Sequence, residues 1–402
     1  MANYKYLIIG GGMTANAGVK GIRRVDLEGS IGLVSAESHP PYNRPPLSKD
    51  LWKGKSPEMV WLKNAPQGAT LHLGCRVRAI DPSNKFASDD QGEIYHYEKL
   101  LLATGGSVRR LASDCDSIIY FRTLDDYYQL RLLTQERRRF AVIGGGFIGS
   151  EIAAALAING KEVVMLFPGE GIGGRMFPPL LAGFLNDFYR QKGVEVRSGE
   201  EVTDVANQGN KFILKTRGVQ NRREDQIEAD AVVAGLGIQP NIELAQQAGL
   251  TVGNGICVDS ALRTSDPDIY AAGDAAEFFN PALGTRLRVE HEDNAYTMGE
   301  TAGKSMAGQA VSYDHLPFFY SDLFELGYEA VGEVDSRLET FADWKEPYRE
   351  GVVYYLREGR VRGVLLWNVW GQIEAARRLI AQAGRFRPED LKGRLLKAQQ
   401  YV

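Results

Sequence analysis

The feature that most restricts the fold of this chain is a repeated pattern of a short apolar strand running into three glycines. Residues 6–12 read YLIIGGG and residues 140–146 read FAVIGGG. The first glycines are Gly10 and Gly144, so the two copies lie 144 − 10 = 134 residues apart. A helical pattern and then a second apolar strand follow each copy, at 31–34 and 162–167. The sequence therefore predicts two β-α-β units.

The repeat continues beyond these units. Weakly alternating strands interrupted by turn residues follow in both halves, at 77–97 and 202–227. Each half then closes with an apolar strand that ends on glycine, LLLATGG at 100–106 and AVVAGLG at 231–237. Two copies of a dinucleotide-binding domain explain this order, and we infer one cofactor for each copy.

The remaining sequence is less repetitive. Residues 256–274 predict a pair of strands, and residues 295–308 predict a helix. From about residue 314 the pattern is rich in strands and ends in a helix at 372–383. The predicted fold class is therefore α/β, with two dinucleotide-binding (Rossmann-like) domains plus a C-terminal α+β domain.

Composition excludes several classes of function. The net charge is −4 and there is no basic tail, so binding to nucleic acid or to an anionic membrane surface has no electrostatic basis. Cys75, Cys115 and Cys257 are far apart and form no C-x-x-C, which argues against a disulfide framework and a metal site. No apolar run reaches the roughly 18 residues of a membrane span, and a strand starts at once, leaving no room for a signal peptide. We expect a cytoplasmic protein.

The first glycine-rich turn has the pattern G-x-G-x-x-A, formed by Gly10, Gly12 and Ala15. Gly10 permits a tight turn, Gly12 lets the backbone approach a pyrophosphate, and Ala15 lets helix and strand pack closely. The phosphate would lie at the helix N-terminus, where free N–H groups favour anions. Glu37 follows the next strand, where a carboxylate can bind ribose hydroxyls.

The second turn is a full G-x-G-x-x-G, formed by Gly144, Gly146 and Gly149. The segment after its second strand lacks the pair of arginines that would bind a 2′-phosphate, so we expect NADH to be preferred over NADPH. Glu170 is the nearest carboxylate, although it lies late for the usual ribose position, and Arg175 is the nearby cation.

Three further features each have two interpretations. Asp274 follows a strand that ends in glycine, so it can bind a polyol hydroxyl or belong to an ordinary turn. Arg44 and Lys49 lie in a proline-stiffened loop, RPPLSK, where they can bind a ligand or be solvated charges. Glu151 is expected in the first turn of the second nucleotide helix, where an acid also stabilises the helix dipole.

Together these motifs resemble the FAD-dependent pyridine nucleotide oxidoreductases of the glutathione-reductase fold. They look in particular like the ferredoxin and rubredoxin reductases and apoptosis-inducing factor, and the resemblance covers nearly the whole chain. The motifs that carry it are RPPLSK at 44–49, residues 144–151 and the AGD of 272–274. The segments at 288–291, 320–323, 327–330 and 364–368 are similar to apoptosis-inducing factor.

The resemblance implies the role of each matching residue. Gly10, Gly12, Glu37, Arg44, Lys49 and Asp274 would contact FAD, and Thr104 and Gly105 would pass close to it. Lys49 would lie near flavin N5 and pair with Glu151, and Gly144, Gly146 and Gly149 would hold NAD(H). The remaining cofactor-binding candidates lie in the matching segments or end the apolar strands: Gly237, Gly273, Glu290, His291 and Tyr320. The implied domains are FAD-binding (1–118 and 247–313), NAD-binding (119–246) and C-terminal (314–402).

The sequence also departs from its relatives in ways that bear on function. The disulfide reductases carry C-x₄-C in the helix after the FAD turn, and residues 14–19 here contain no cysteine. The aromatic residue before Ser321 is usually Trp and is here Tyr320, and Asn294 replaces an expected histidine. Electrons would then leave directly from the flavin, to a small iron–sulfur carrier such as ferredoxin or rubredoxin, a quinone, or oxygen. An NADH-sensing interaction protein with slow turnover is the alternative, and a homodimer is possible in both cases.

Overall fold

A computed structural model describes residues 1–62, 68–113 and 117–396. Twenty-five strands are assigned within these ranges. In chain order they are β1 (Ala2–Ile9), β2 (Ile31–Ser35), β3 (Ala69–Leu73), β4 (Val77–Asp81), β5 (Phe86–Asp89), β6 (Ile94–Leu102), β7 (Gly106–Val108), β8 (Ile119–Tyr120), β9 (Arg139–Ile143), β10 (Glu162–Phe167), β11 (Val194–Ser198), β12 (Glu200–Asn207), β13 (Phe212–Gly218), β14 (Glu224–Ala229), β15 (Ala231–Ala234), β16 (Ile238–Pro240), β17 (Ile256–Cys257), β18 (Ile269–Ala271), β19 (Ala276–Asn280), β20 (Thr285–Leu287), β21 (Phe318–Leu323), β22 (Leu326–Gly332), β23 (Glu339–Glu346), β24 (Glu350–Arg357) and β25 (Arg360–Trp367).

Helices follow the glycine-rich turns and cover the sheets. They are α1 (Met13–Arg23), α2 (Leu124–Glu136), α3 (Phe147–Ile158), α4 (Pro179–Gln191), α5 (Glu243–Gln247), α6 (Glu292–Met306), α7 (Ile373–Ala381) and α8 (Pro388–Leu391). Short 3₁₀ turns occur at Pro45–Ser48, Asp50–Lys53, Pro57–Val60 and Gly273–Ala275.

The chain divides into two compact units. The first contains residues 1–43, 58–107 and 239–319. Its main sheet has the order β3-β2-β1-β6-β5-β4, with β18 also paired to β6. Strand β1 runs parallel to both β2 and β6, and its inner residues are fully apolar and buried, as expected for a sheet covered on both faces. Helices α1 and α6 pack closely because glycines line their contact: a Cβ on Gly303 would lie 2.1 Å from the Gly18 carbonyl oxygen.

The second unit contains residues 44–57, 108–238 and 320–402, of which 114–116 and 397–402 lie outside the described residues. Its nucleotide sheet has the order β11-β10-β9-β15-β8, and the paired strands are parallel. The antiparallel sheet β12-β13-β14 follows, and the C-terminal sheet has the order β21-β22-β25-β24-β23. The buried rings of Phe177, Tyr328 and Trp367 contact one another, with centroid distances of 5.2 to 5.7 Å, and join the C-terminal sheet to the nucleotide part of the same unit.

This architecture confirms the predicted fold class, with two β-α-β units and a strand-rich C-terminal part. The prediction of a strand pair at 256–274 is wrong, because β17 pairs with β19 and β18 pairs with β6. The partners of these short strands lie elsewhere in the sequence, so local pattern did not reveal them. The division into three domains stays a prediction, since the two units group the chain more coarsely.

Candidate cofactor-binding and redox site

The first glycine-rich turn is open on the side where a phosphate would approach. Gly10 has φ +128°, and a Cβ there would lie 2.1 Å from the Ala103 carbonyl oxygen, so the turn requires glycine. Gly12 is the N-cap of α1 and contributes no side-chain cap. A Cβ on Gly12 would meet no atom of the described residues within 4 Å. The free N–H groups of the helix start are therefore accessible to an anion.

A buried amide in α1 also fits a site that binds a polar group from outside the chain. Asn16 is 0% exposed, and neither atom of its side-chain amide has a hydrogen-bond partner among the residues that the structure describes. Buried polar atoms are nearly always hydrogen-bonded, so an amide of this kind is unusual. The sequence analysis missed Asn16, because a small polar residue in a helix carries no signal of burial.

Glu37 lies just beyond β2, as the sequence predicts for a carboxylate that binds ribose. The Tyr42 hydroxyl donates to Glu37 Oε2 at 2.6 Å, which orients the carboxylate. The Glu37 carbonyl accepts from the Gly74 N–H at 3.0 Å, so the backbone is fixed as well. A carboxylate held in this way can accept hydrogen bonds from a diol.

The turn of Gly273 and Asp274 packs directly against the start of α1. Gly273 has φ +74°, and a Cβ there would lie 2.3 Å from Thr14 Oγ1. Arg288 donates to the Asp274 carbonyl at 3.0 Å and pairs with Glu290 at 2.7 Å. The structure thus brings three separate sequence signals together: the first glycine-rich turn, the Gly-Asp turn and the segment at 288–291. This position favours the ligand-binding interpretation of Asp274 over an ordinary turn.

Thr104 and Gly105 follow β6 at the same edge of the sheet. The Thr104 hydroxyl donates to the Asn241 carbonyl at 2.7 Å, and the Asn241 amide donates back to the Thr104 carbonyl at 2.9 Å. These reciprocal bonds fix the chain where it leaves the sheet. The resemblance expects FAD to pass close to this segment.

His291 is the N-cap of α6, and its ring stacks on Phe319 with a centroid distance of 4.3 Å. Burial lowers the pKa of His291 to about 4, so the imidazole is neutral at neutral pH. Asn294, which stands where a second histidine is expected, donates to the Val289 carbonyl and accepts from the Tyr313 hydroxyl. It is therefore a fixed structural amide in this chain.

The second glycine-rich turn repeats the geometry of the first. Gly144 has φ +120°, and a Cβ there would lie 2.4 Å from the Gly235 carbonyl oxygen. Gly146 is the uncapped N-cap of α3, and a Cβ on it would meet no described atom within 4 Å. A Cβ on Gly149 would lie 2.0 Å from the Gly144 carbonyl, so helix and strand approach closely there. Gly237, past β15, accepts at its carbonyl from the Arg109 N–H.

A polar cavity of about 360 Å³ lies beside Glu170, in the segment after β10. Gln220 donates to the Glu170 carboxylate at 2.6 Å. Arg197 and Arg223 also line this cavity, and the sequence analysis missed them because they come from β11 and from the β13–β14 turn. Arg197 is paired with Glu195 at 2.8 Å and with Asp225 at 2.7 Å, so its charge is already balanced. The backbone of Arg175 is held through its carbonyl, which accepts from the Ser336 N–H at 3.0 Å.

Lys49 and Glu151 form a buried ion pair, as the resemblance implies. Lys49 Nζ lies 2.9 Å from Glu151 Oε1, and the two side chains are 10% and 2% exposed. Ser48 and Ser321 both donate to the Glu151 carboxylate, and Lys49 Nζ lies 5.3 Å from the centroid of the Tyr320 ring. The loop charge Lys49 is therefore not solvated. The interpretation of Glu151 as an acid in the first turn is wrong, because the first turn of α3 contains no acid and Glu151 lies just beyond it. Ser48 and Ser321 lie within sequence motifs, but nothing in their local sequence indicates contact with Glu151.

The proline-stiffened loop that carries this lysine is fixed at its start. Arg44 donates to the Arg122 carbonyl at 3.2 Å and is the N-cap of the 3₁₀ turn Pro45–Ser48, whose first position is proline. Lys49 follows directly as the C-cap of that turn, and its backbone N–H donates to the Pro46 carbonyl. The loop therefore presents Lys49 from a backbone with little freedom.

The candidate residues fall into two groups, one in each compact unit. In the first unit are Gly10, Gly12, Ala15, Glu37, Thr104, Gly105, Gly273, Asp274, Glu290 and His291. In the second unit are Arg44, Lys49, Gly144, Gly146, Gly149, Glu151, Glu170, Arg175, Gly237 and Tyr320. The roles of the individual residues stay predictions.

The cysteines offer no redox pair among the described residues. Cys75 and Cys257 are both partly buried and unpaired. Burial, followed by the charges of Asp89 and Asp90, raises the pKa of the Cys75 thiol, which keeps it in the unreactive neutral form. Cys115 lies outside the described residues. In the same ranges of the chain, no helix has both the length and the apolar character needed to cross a membrane.

Comparison with known proteins identifies the family. Residues 4–299 match the family described as pyridine nucleotide-disulphide oxidoreductase. Residues 302–347 and 342–382 match the C-terminal domain of mitochondrion-associated apoptosis-inducing factor. The chain therefore belongs to the pyridine nucleotide-disulphide oxidoreductase family.

Relatives along the whole chain agree with this assignment. The chain is 33% identical to the ferredoxin–NAD(+) reductase component of the anthranilate 1,2-dioxygenase system of Burkholderia cepacia, over 96% of each chain. It is 32% identical to mitochondrial apoptosis-inducing factor 1 of Dictyostelium discoideum, over 94% of this chain and 78% of the relative. Among solved structures, it is similar to the covalent putidaredoxin reductase–putidaredoxin complex, with a TM-score of 0.88, 28% identity and coverage of 97% and 95%.

The protein is an NAD(P)H-dependent flavoprotein reductase, and its cofactors are FAD and NAD(H). The two glycine-rich turns fit both dinucleotides, since each has an uncapped helix start that is open on one side. The unsatisfied amide of Asn16 in α1 fits the same conclusion.

Proposed function

We propose that the protein oxidises NADH and passes the electrons, through its FAD, to a small iron–sulfur protein of the ferredoxin or rubredoxin kind. FAD supplies the chemistry that links a two-electron hydride donor to a one-electron acceptor. The observation that carries the proposal is the buried Lys49–Glu151 pair. Glu151 lies in α3, the helix that the second nucleotide turn opens, so the ammonium group is tied to the element that would bind NADH.

In this proposal Lys49 is the catalytic residue. The resemblance expects its ammonium group near flavin N5, where it would stabilise the negative charge that arrives with a hydride. Glu151 keeps the ammonium group in one place, and Gly144, Gly146 and Gly149 let the nicotinamide dinucleotide approach the helix start. None of these steps requires a thiol. Residues 14–19, where the disulfide reductases carry C-x₄-C, contain no cysteine.

The names of two relatives support the choice of acceptor. One is the ferredoxin–NAD(+) reductase component of a dioxygenase system, and one solved structure contains putidaredoxin reductase with putidaredoxin. A quinone and oxygen are the other acceptors that a chain without a redox thiol can use.

A second candidate is an NADH-sensing interaction protein with slow turnover. The match of residues 302–382 to the C-terminal domain of apoptosis-inducing factor favours it. A long-lived complex of reduced flavin with nicotinamide and a redox-dependent oligomer would distinguish this function from fast electron transfer.

Stopped-flow reoxidation of the NADH-reduced protein tests these alternatives. We expect reoxidation by a ferredoxin to be at least tenfold faster than by a quinone or by oxygen at equal concentrations. Slow reoxidation by all three, with a change of oligomeric state on reduction, would instead support the interaction protein. Fast reoxidation by oxygen alone would make the protein an NADH oxidase.

We further propose a cytoplasmic location, because the three cysteines are far apart in sequence and suit a reducing compartment, and a homodimer as the assembly to be tested. Light scattering of the purified protein and fractionation of the source cell would test these two points. The relative in Dictyostelium discoideum is a mitochondrial protein by name, so recovery from mitochondria would contradict the cytoplasmic location.

A further inference from the structure

The Glu151 carboxylate receives three donors from two distant parts of the chain, residues 48–49 and residue 321. Its Oε1 accepts from Lys49 Nζ at 2.9 Å and from Ser321 Oγ at 2.6 Å, and its Oε2 accepts from Ser48 Oγ. Ser321 lies 170 residues after Glu151, in β21 at the start of the C-terminal sheet. Glu151, Ser48 and Ser321 are 3%, 4% and 1% exposed, so water does not replace these bonds.

A carboxylate buried to this degree needs hydrogen-bond donors for both of its oxygens, because a buried polar atom without a partner costs free energy. A single ammonium group leaves most of the four lone-pair positions of a carboxylate unsatisfied. The buried Tyr189 hydroxyl does not fill this role, because it donates to the Ser150 carbonyl at 3.1 Å. The two serine hydroxyls therefore supply donors to both oxygens of Glu151.

Consecutive residues of β21 contact both members of the ion pair. Ser321 bonds to Glu151, and the ring of Tyr320 lies 5.3 Å from Lys49 Nζ, within the range of a cation–π contact. A lysine side chain has four flexible carbons and many rotamers, so its ammonium group is fixed only when several contacts hold it. Strand β21 holds the lysine directly through Tyr320 and indirectly through Glu151.

We propose that Ser321 is a positioning residue of the redox site, which acts through Glu151 on the position of the Lys49 ammonium group. Ser48 performs the same task from the other carboxylate oxygen. The first strand of the C-terminal sheet, β21, thus supplies residues that position the ammonium group of the redox site. This inference rests on the proposed function, because the effect of Ser321 on the flavin passes through Lys49.

The test is a double-mutant cycle read by the midpoint potential of the bound flavin. Holoenzymes carrying Ser321→Ala, Lys49→Met and both changes are titrated against a reference dye. We expect Ser321→Ala to shift the equilibrium three- to tenfold towards oxidised flavin, where tenfold is about 30 mV for a two-electron couple. Lys49→Met should shift it further, and Ser321→Ala should add nothing in the Lys49→Met background. Ser321→Thr, which keeps a hydroxyl, should restore the wild-type potential.

Ser305→Ala, the loss of another buried serine hydroxyl in α6, is the control and should leave the potential unchanged. An equal shift from Ser321→Ala in both backgrounds would overturn the inference, because Ser321 would then act without Lys49. A shift in Lys49→Met with none in Ser321→Ala would also overturn it, while leaving the proposed function intact.

A wild-type protein whose flavin is not reduced by NADH would remove the proposed function and the inference together. If Ser321→Ala does not fold, Ser48→Ala enters the same cycle, because it removes the donor to the other oxygen.

Discussion

Lys49 and Glu151 are charged side chains held almost entirely out of solvent. Removing two charges from water costs several kcal/mol for each ion, and attraction alone repays this only with good geometry and further hydrogen bonds. Such a pair contributes little net stability compared with apolar residues of similar size. A role in the redox reaction explains its presence better than a role in stability does. The serine hydroxyls that donate to Glu151 offset part of the free energy of desolvation.

Replacing Lys49 should slow flavin reduction by NADH without loss of FAD. Removing one organised donor typically costs about 2.7–4 kcal/mol in the transition state, and we expect less here if Arg44, a cation of the same loop, takes over part of the role. Glu151→Ala should do less harm than Lys49→Ala, since the ammonium group remains. The double variant should be no slower than Lys49→Ala, because the two residues act as one unit. Stopped-flow absorbance of the flavin measures these rates.

Lys53→Ala is the matched control for this series. Lys53 lies four residues further along the same segment and pairs with Asp322 at 3.1 Å, but 40% of its side chain is exposed. An exposed pair contributes about 0–1 kcal/mol, so this variant should be reduced at the wild-type rate. Additive losses in the Lys49 and Glu151 variants, or a normal rate in Lys49→Ala, would reject the pair as a catalytic unit.

At the scale of structural elements, different glycines of each glycine-rich turn serve folding and ligand binding. The first glycine of each turn, Gly10 or Gly144, has positive φ and lies against a carbonyl of a neighbouring strand. The third glycine, Gly12 or Gly146, has ordinary extended backbone and open space beside it. Substitution at the two positions should therefore have different consequences.

Gly146→Ala should weaken NADH binding at least tenfold, about 1.4 kcal/mol, because the new methyl group occupies the open side of the helix start. The melting temperature should stay near that of the wild type. Gly144→Ala should instead lower the melting temperature, since its Cβ would lie 2.4 Å from the Gly235 carbonyl oxygen. Calorimetric titration with NADH and thermal unfolding measure the two effects. Gly183→Ala, in α4 with no described atom within 4 Å of the new Cβ, is the control: it should leave NADH affinity unchanged and raise the melting temperature slightly, because alanine is the better helix former. Unchanged NADH affinity in Gly146→Ala would contradict this assignment.

The segment after β10 predicts the choice of nicotinamide nucleotide. NADH should give a higher kcat/KM than NADPH, because Glu170 would repel a 2′-phosphate and Arg197 is already paired with carboxylates. Glu170→Gln should reduce the difference in kcat/KM between NADH and NADPH, because it removes the repulsion between the carboxylate and the 2′-phosphate. Steady-state kinetics with both nucleotides measure it. A tenfold preference for NADPH, about 1.4 kcal/mol, would mean that the cavity beside Glu170 accepts a phosphate.

At the scale of the whole molecule, each cofactor corresponds to one copy of the repeated β-α-β unit. The purified protein should be yellow and should release FAD rather than FMN on denaturation. The reason is that the first unit has both a phosphate turn at Gly12 and a carboxylate at Glu37 that suits a ribose diol, a combination that fits the adenosine half of FAD, which FMN lacks. Chromatography of the released flavin distinguishes the two. A colourless protein that cannot be reconstituted with FAD would contradict the cofactor assignment.

The sequence predicted those parts of the molecule whose signals are local. The strand Glu162–Phe167 and both glycine-rich turns were located correctly, because a strand, a turn and a helix follow one another within a few residues. Pairings between distant segments were not predicted, as β17 and β18 illustrate. The same limit applies to the site. Ser321 and Arg197 contact partners that are distant in sequence, so local pattern did not predict these contacts. Asn16 is recognised as a candidate only because the structure shows that it is buried.

The segment of residues 44–57 belongs to the second unit although it lies within the sequence of the first. A shortened gene that starts after residue 57 would therefore encode the nucleotide sheet and the C-terminal sheet but not Ser48 and Lys49. Glu151 would keep Ser321 but lose its cation and one hydroxyl, which leaves a buried charge without a counter-ion. Folding faces the same constraint, because Ser48 and Glu151 are separated by 103 residues, and contacts of such separation form slowly. We therefore expect that a folded fragment of the second unit requires residues 44–57 to be co-expressed as a separate peptide.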